Sequence, residues 1–222
     1  MSIFNTAFPT YVNLASDDGS NGALPAPFAG SFSFWYGQPS SGNYLGTQRP
    51  GDQASSGGTS MASNSGVLTS PAFFIPDHAL PVALRFDTWW EIESVNPKSF
   101  DIMRVSIQDV ATTAVTELGV LNPTADPGGA APTPFTSGGF NAAPVWVQVT
   151  QDVTAFRGKT VRLIFTFDTG DILYNGFRGW LIDNVSVTTQ SLLAAPLAPQ
   201  ASGLASLRTG TLSAEQPRRP RQ

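Results

Sequence analysis

The chain has 222 residues, of which 41% are apolar and 13% charged, with a formal net charge of −4. Low charge leaves a surface of neutral polar residues, and the few Lys and Arg argue against nucleic acid, whose binding depends on clustered basic residues. The absence of Cys excludes disulfides and thiolate sites, and no apolar stretch is long enough for membrane insertion.

The N-terminal half of the chain predicts strands separated by long polar loops. Residues 31–36 (SFSFWY) alternate as a strand does, and the Gly/Ser/Asn-rich residues 37–66 predict a long loop with one short strand at Asn43–Thr47. The next strand, Gly66–Pro76, contains Pro71, which removes a ladder donor and therefore predicts an edge or a bulge.

The clearest alternation in the chain covers Ala83–Glu93 (ALRFDTWWEIE). Successive side chains of a strand point to opposite faces, so this segment predicts one mostly apolar face and one polar face. The first face comprises Leu84, Phe86, Thr88, Trp90 and Ile92, and the second comprises Arg85, Asp87, Trp89, Glu91 and Glu93.

Four further strands are predicted in the C-terminal half, at Asp101–Asp109, Trp146–Thr150, Val161–Phe167 and Trp180–Thr188. Strands without intervening helices predict an all-β, two-sheet antiparallel jelly-roll sandwich with long Gly/Ser/Pro-rich loops over residues 1–189. Residues 190–222, rich in Ala and Pro and ending in Arg, predict a flexible, disordered tail.

Five segments carry a family resemblance by their order and spacing. They are Gly66-Val-Leu-Thr-Ser-Pro71, Leu84-Arg-Phe-Asp-Thr-Trp89, Asp101–Ile107, Trp146–Phe165 and Gly179–Val187. The set resembles MAM-like jelly-roll domains, in particular the bacterial domains found beside immune-inhibitor-A-type metallopeptidases and in surface proteins with varied C-terminal anchors. The resemblance implies a non-catalytic adhesion or accessory domain at the cell surface or outside the cell, although the chain shows neither a signal-peptide pattern nor an anchor.

Oxygen ligands are the only set available for a structural metal, so Ca²⁺ is the expected ion. Asp183 is the first candidate, because alternation places it on a face with Leu181, Val185 and Val187, and a buried carboxylate needs hydrogen bonds, a cation or a proton. Glu91, Glu93 and Asp101 flank the loop Ser94–Phe100 and are predicted to converge with it, and the resemblance also implies a cation there. The alternative is that Asp183 accepts backbone N–H bonds at a turn or lies beside Arg178. The segment Asp17–Gly22 has a Ca²⁺-like composition but predicts a plain turn.

A catalytic function is the weakest prediction. Glu91 and Glu93 lie two residues apart on one strand face, about 7 Å, which is within the range of a glycosidase pair, but the third acid of strand-borne glycanase motifs is missing. His78 has no Gly-x-Ser-x-Gly nucleophile motif to act with and predicts an exposed loop histidine.

Trp89 is the candidate for ligand binding, because it shares the polar face with Arg85 and Asp87 and could stack on a sugar or a partner protein. The alternative is that a loop covers it; the other four Trp residues are predicted to belong to the core. The sequence thus predicts a recognition module for a protein or glycan surface, stabilised by Ca²⁺. The second hypothesis is a structural subunit of a filament, particle or virion that associates through its sheet edges.

Overall fold

The structure is a computed structural model that describes the backbone of residues 2–5 and, with side chains, residues 24–39, 42–47, 49–50, 58–124 and 133–189. The predicted turn at Asp17–Gly22 and the predicted tail at 190–222 lie outside these residues. The described part of the chain contains no helix with the length and hydropathy that spanning a bilayer requires.

Twelve strands are present among the described residues. In chain order they are β1 (Ser2–Asn5), β2 (Phe32–Tyr36), β3 (Ser65–Thr69), β4 (Phe73–Ile75), β5 (Val82–Glu93), β6 (Ile102–Asp109), β7 (Val115–Val120), β8 (Pro134–Thr136), β9 (Gly139–Phe140), β10 (Val147–Asp152), β11 (Lys159–Asp168) and β12 (Gly179–Thr189). A 3-10 turn, Thr154–Phe156, precedes β11.

The strands form two antiparallel sheets. The first has the order β1-β2-β12-β5-β8-β9, with β10 also paired to β5, and the second has the order β3-β11-β6-β7, with β4 also paired to β11. Strand β5 is long enough for β10 to pair with its first half and β8 with its last three residues. The prediction of an all-β, two-sheet antiparallel sandwich is confirmed.

The inner faces of the two sheets form the main core. Alternate residues of β5, β6 and β11 are buried there, as their apolar alternation predicts, with Phe86 packed edge-on against Phe165 at a centroid distance of 5.3 Å. Trp180 of β12 is fully buried in this core and its indole N–H donates to the Thr88 hydroxyl at 2.7 Å. Burial of these aromatic side chains supplies much of the stability of a chain without disulfides.

Pro71 interrupts the strand predicted over residues 66–76. Strand β3 ends at Thr69 and β4 begins at Phe73, and both pair only with β11 among the described residues. The predicted edge position is confirmed. The prediction of a short strand at Asn43–Thr47 is wrong, because this segment is irregular. The Thr47 carbonyl accepts a hydrogen bond from Met61 N–H.

A β-bulge in β12 changes the predicted face of its last residues. The register between β12 and β5 shifts between Asp183 and Ser186, and Asn184 adopts a left-handed conformation with φ 49°. An extra residue on one strand reverses the alternation beyond it. Val187 therefore packs against the inner core, and the prediction that it shares a face with Asp183 is wrong.

Candidate functional site

Glu93 and Asp101 meet at the end of the sandwich where the chain crosses from one sheet to the other. Glu93 is the last residue of β5 and Asp101 directly precedes β6, so the crossing loop begins and ends at a carboxylate. Both side chains are buried, with Glu93 2% and Asp101 0% exposed. The structure therefore brings these two predicted residues together.

One oxygen of the Asp101 carboxylate accepts hydrogen bonds, and among the described residues the other has no hydrogen-bond partner. Its Oδ2 accepts hydrogen bonds from the Tyr44 hydroxyl and from Glu93 N–H, the latter at 3.1 Å. Its backbone carbonyl accepts from Asn122 Nδ2 at 2.9 Å. Asp101 Oδ1 and Glu93 Oε1 are both buried and have no hydrogen-bond partner among the residues that the structure describes. Two carboxylate oxygens are therefore fixed in the interior with unused lone pairs.

The electrostatic surroundings of this pair favour protonation or a bound cation. Burial raises the pKa of Glu93, and the neighbouring charges of Asp101 and Asp171 raise it further. Burial also raises the pKa of Asp101, against the lowering effect of the hydrogen bonds from Tyr44 and Glu93. Among the described residues, no ion pair reaches either carboxylate. The described residues thus place no positively charged side chain against this pair.

A hard divalent cation fits this donor set in part. Ca²⁺ takes about six to eight oxygen ligands, including carboxylates, carbonyls, amides and water. Glu93 and Asp101 offer two carboxylates, each with an oxygen that no other described residue uses. Within the described residues, no group of three or more acidic, His or Cys side chains is arranged to hold a metal, so the remaining ligands would be carbonyls, amides or water.

Glu91, another predicted ligand, is engaged elsewhere. It is 2% exposed, and both of its carboxylate oxygens accept from Arg178 Nε at 3.1 Å, with a further ion pair to Arg178 Nη2. The same guanidinium lies over the Trp89 ring at 5.0 Å. A carboxylate paired bidentately with Arg has little capacity left for a metal. Glu91 is therefore paired with Arg178 and is not available as a further ligand beside Glu93 and Asp101.

Asp183 also lies away from that pair. It is opposite Asp87 in the β12–β5 ladder, six residues before Glu93 along β5, or about 20 Å at the rise of a strand. Its carboxylate accepts from Ala29 N–H at 3.0 Å and from Asn184 N–H at 2.6 Å. Asp183 is therefore a carboxylate whose oxygens accept backbone N–H groups, which was the alternative that the sequence offered. The structure does not bring it together with Glu93 and Asp101.

Trp89 differs from the predicted open platform. It is 3% exposed and packs in a second cluster with Leu24, Trp35 and Leu181, on the outer face of the first sheet. The segment before β2 covers this face, and Arg178 stacks on the ring. Since alternation describes one strand at a time, it could not show that a distant segment covers Trp89.

The remaining predicted ligand residues divide between surface and interior. Arg85 is exposed, whereas Asp87 is 2% exposed and accepts from Asn184 Nδ2 at 2.9 Å. Trp89, Arg85 and Asp87 therefore do not form one accessible site.

An aromatic pair that the sequence did not single out lies at the edge of the same face. Trp146 was predicted to be core, but it is only partly buried and packs against the outer cluster. Phe28 is 50% exposed and meets its ring edge-on, with centroids 6.0 Å apart and planes at 62°. Val145, also 50% exposed, adjoins Trp146 in the chain. Phe28 lies 118 positions away, so only the fold could show this contact.

Within the described part of the chain, Glu91, Glu93 and His78 show no arrangement for acid–base catalysis. Glu91 is bound to Arg178 and Glu93 is buried beside Asp101. His78 Nδ1 accepts from Leu80 N–H at 3.2 Å within its own loop. An apolar cleft of about 630 Å³ opens between β2, β3, β4 and β12, but no titratable side chain is present among its described lining residues.

Comparisons with known proteins give structural likenesses only. No protein-family model and no curated protein matches the chain. The fold is similar to the K1 cleaved adhesin domain of Lys-gingipain from Porphyromonas gingivalis W83, at 15% identity and a TM-score of 0.37, covering 86% of this chain and 90% of that one. The K3 cleaved adhesin domain of the same protein gives 17% identity and a TM-score of 0.37, covering 84% and 90%.

A carbohydrate-binding module specific for non-crystalline cellulose is also similar, at 15% identity and a TM-score of 0.33, covering 79% of this chain and 86% of that one. All three likenesses have low TM-scores. The functional argument therefore depends on the residues of this chain, and the resemblance to MAM-like domains stays a resemblance.

Proposed function

We propose that this chain is a non-catalytic recognition module of an extracellular or cell-surface protein, and that Ca²⁺ bound by Glu93 and Asp101 stabilises it. The observation that carries the proposal is the pair of buried carboxylates that keep unpartnered oxygens and meet no positive side chain among the described residues. Burying such charges is unfavourable unless a proton or a cation compensates them.

The position of this pair supports a structural role for the cation. The loop between Glu93 and Asp101 links the two sheets, and Asp101 N–H donates at 3.3 Å to the carbonyl of Thr169, which follows β11. A cation at this place would fix the loops at one end of the sandwich, where β5, β6 and β11 end or begin. Preorganised loops on a rigid sandwich are a common arrangement in binding proteins.

The recognition role is supported by the exposed aromatic pair and by the family resemblance of the sequence. Phe28 keeps half of its surface in solvent and lies edge-on against the half-buried Trp146 ring. A protein or glycan surface is the partner that we propose.

The cation is tested by thermal unfolding of the full chain in Ca²⁺ and in chelator. A ligand that binds only the folded state adds about 2.7 kcal/mol at 100 times its Kd. In Glu93→Gln and Asp101→Asn we expect the Ca²⁺-dependent shift in Tm to disappear. In chelator these variants should equal or exceed the wild type in stability, because the amide removes a charge that is unfavourable to bury.

Two matched controls keep the test specific. Glu117→Gln changes a side chain that is 53% exposed, and Glu91→Gln removes a buried carboxylate that is already paired with Arg178. Both variants should keep the Ca²⁺ shift of the wild type. An equal shift in Glu93→Gln and in the wild type would contradict the assignment. Light scattering on the same samples tests the structural-subunit hypothesis, which predicts a large assembly.

A further inference from the structure

The outer face of the first sheet carries a polar strip beside the Phe28–Trp146 pair. Trp146 immediately precedes β10, and Gln148 and Thr150 follow it at two-residue intervals on the same strand face. Both are exposed, and Thr150 lies opposite the exposed Arg85 of β5. Aromatic surface and hydrogen-bonding side chains therefore lie next to each other on one accessible edge.

The aromatic part of this strip is held in place. Trp146 Nε1 donates to the carbonyl of Ala26 at 3.1 Å, and the indole packs against the cluster of Leu24, Trp35, Trp89 and Leu181. Phe28 stands against the indole and keeps half of its surface in solvent. Because the indole N–H is already used, the pair offers apolar ring surface and leaves polar contacts to its neighbours. Fixed aromatic surface loses little conformational entropy on binding.

The polar part of the strip is largely neutral. Gln148 offers amide donors and an acceptor, and Thr150 offers a hydroxyl. The Arg85 guanidinium takes part in no ion pair among the described residues. A cation that is free of acidic partners, an amide and a hydroxyl can all bind sugar hydroxyls, which act as both donors and acceptors.

From this juxtaposition we infer that the Phe28–Trp146 pair and the strip of Gln148, Thr150 and Arg85 bind a neutral oligosaccharide. The aromatic pair stacks on the apolar face of a sugar ring, and the strip bonds the hydroxyls of the next ring. The inference rests on the proposed recognition function and names its ligand class. A protein partner is less well matched, since stable protein interfaces bury about 800 Å² on each side with a wide apolar centre, whereas this aromatic surface is two side chains wide.

The experiment is native affinity electrophoresis of the full chain in Ca²⁺, through gels that contain soluble neutral polysaccharides or acidic ones. We expect at least one neutral polysaccharide to retard the wild type. Phe28→Ser and Gln148→Ala should each weaken binding roughly 3- to 10-fold, the factor expected for one aromatic contact or one hydrogen bond. Phe74→Ser is the matched control, because Phe74 is 58% exposed but lies in β4 of the other sheet.

Each contrary outcome has a distinct meaning. If no neutral polysaccharide retards the wild type, the inference is overturned, and binding to immobilised proteins would leave the recognition function standing. If Phe28→Ser and Phe74→Ser weaken retardation equally, or if neither does, glycan binding stands but the surface is wrong. Unchanged Tm values in Phe28→Ser and Gln148→Ala, measured alongside, show that the losses come from the binding surface.

Discussion

Replacing Arg178 with Met is the most informative test of how this domain tolerates buried acids. The substitution keeps an apolar stem over Trp89 and removes the charge that pairs with Glu91. The Arg178 and Glu91 side chains are 13% and 2% exposed, so their ion pair is largely shielded from solvent. Removing one partner of such a pair leaves an uncompensated charge, at a cost of about 3–5 kcal/mol. Losing the cation–π contact adds about 0.5–1 kcal/mol.

The double variant separates the pair from its surroundings. Arg178→Met with Glu91→Met replaces two buried charges by apolar groups, a change that is often neutral in other proteins. We therefore expect it to recover most of the loss of Arg178→Met, within about 1–2 kcal/mol of the wild type. Urea unfolding of the four proteins closes the double-mutant cycle, provided that the slope of free energy against urea stays constant.

The reasoning is refuted if Arg178→Met costs less than about 1 kcal/mol and the cycle is additive. That result would mean that the pair behaves as a solvent-screened surface contact.

Two further predictions concern stability. Gly179 has φ +85° and an added Cβ would press against the Tyr36 carbonyl, whereas Gly30 has φ +63° and open space around it. In urea unfolding, Gly179→Ala should therefore lower the unfolding free energy by about 1–3 kcal/mol more than Gly30→Ala does. Equal losses in the two variants would contradict the close packing at Gly179. The hydrogen bond from Lys159, followed by the N–H groups of Thr112 and Ala111, lowers the pKa of Asp109. The stability that the Asp109 carboxylate contributes is present above the ordinary carboxyl pKa and is lost as the pH falls through the pKa of the folded protein. The unfolding free energies of the wild type and Asp109→Asn should therefore converge at acid pH. A constant difference between them would contradict this assignment.

Alternation predicted the central strands well because their two faces meet different environments. In β5 the apolar face packs in the core between the sheets, and the length of the alternating segment fixed the strand within one residue. The edge strand β7 was not predicted, because its residues are exposed or half-buried and the sequence shows no sustained contrast between faces. Strands β8 and β9 are only three and two residues long, too short for a pattern.

The candidate site was predicted in part, and the errors have two physical causes. Glu93 and Asp101 were found because they flank a short connection, so chain continuity keeps them close. Asp183 was misplaced relative to them because strand order is a long-range property that spacing does not contain. For Trp89 the alternative of a covering segment describes the structure, and the sequence could not identify the cover because Leu24 lies 65 residues earlier in the chain.

The buried acids of this domain differ in how their charge is compensated, and this difference assigns their roles. Arg178 neutralises Glu91, and backbone N–H groups satisfy Asp183. Among the described residues, one oxygen of Glu93 and one of Asp101 have neither form of compensation, although both side chains are as deeply buried. Since the chain satisfies the first two acids with its own groups, we propose that a cation from solution compensates the pair at the loop end. Such a cation would account for two carboxylates kept together where a single amide would pack at lower cost.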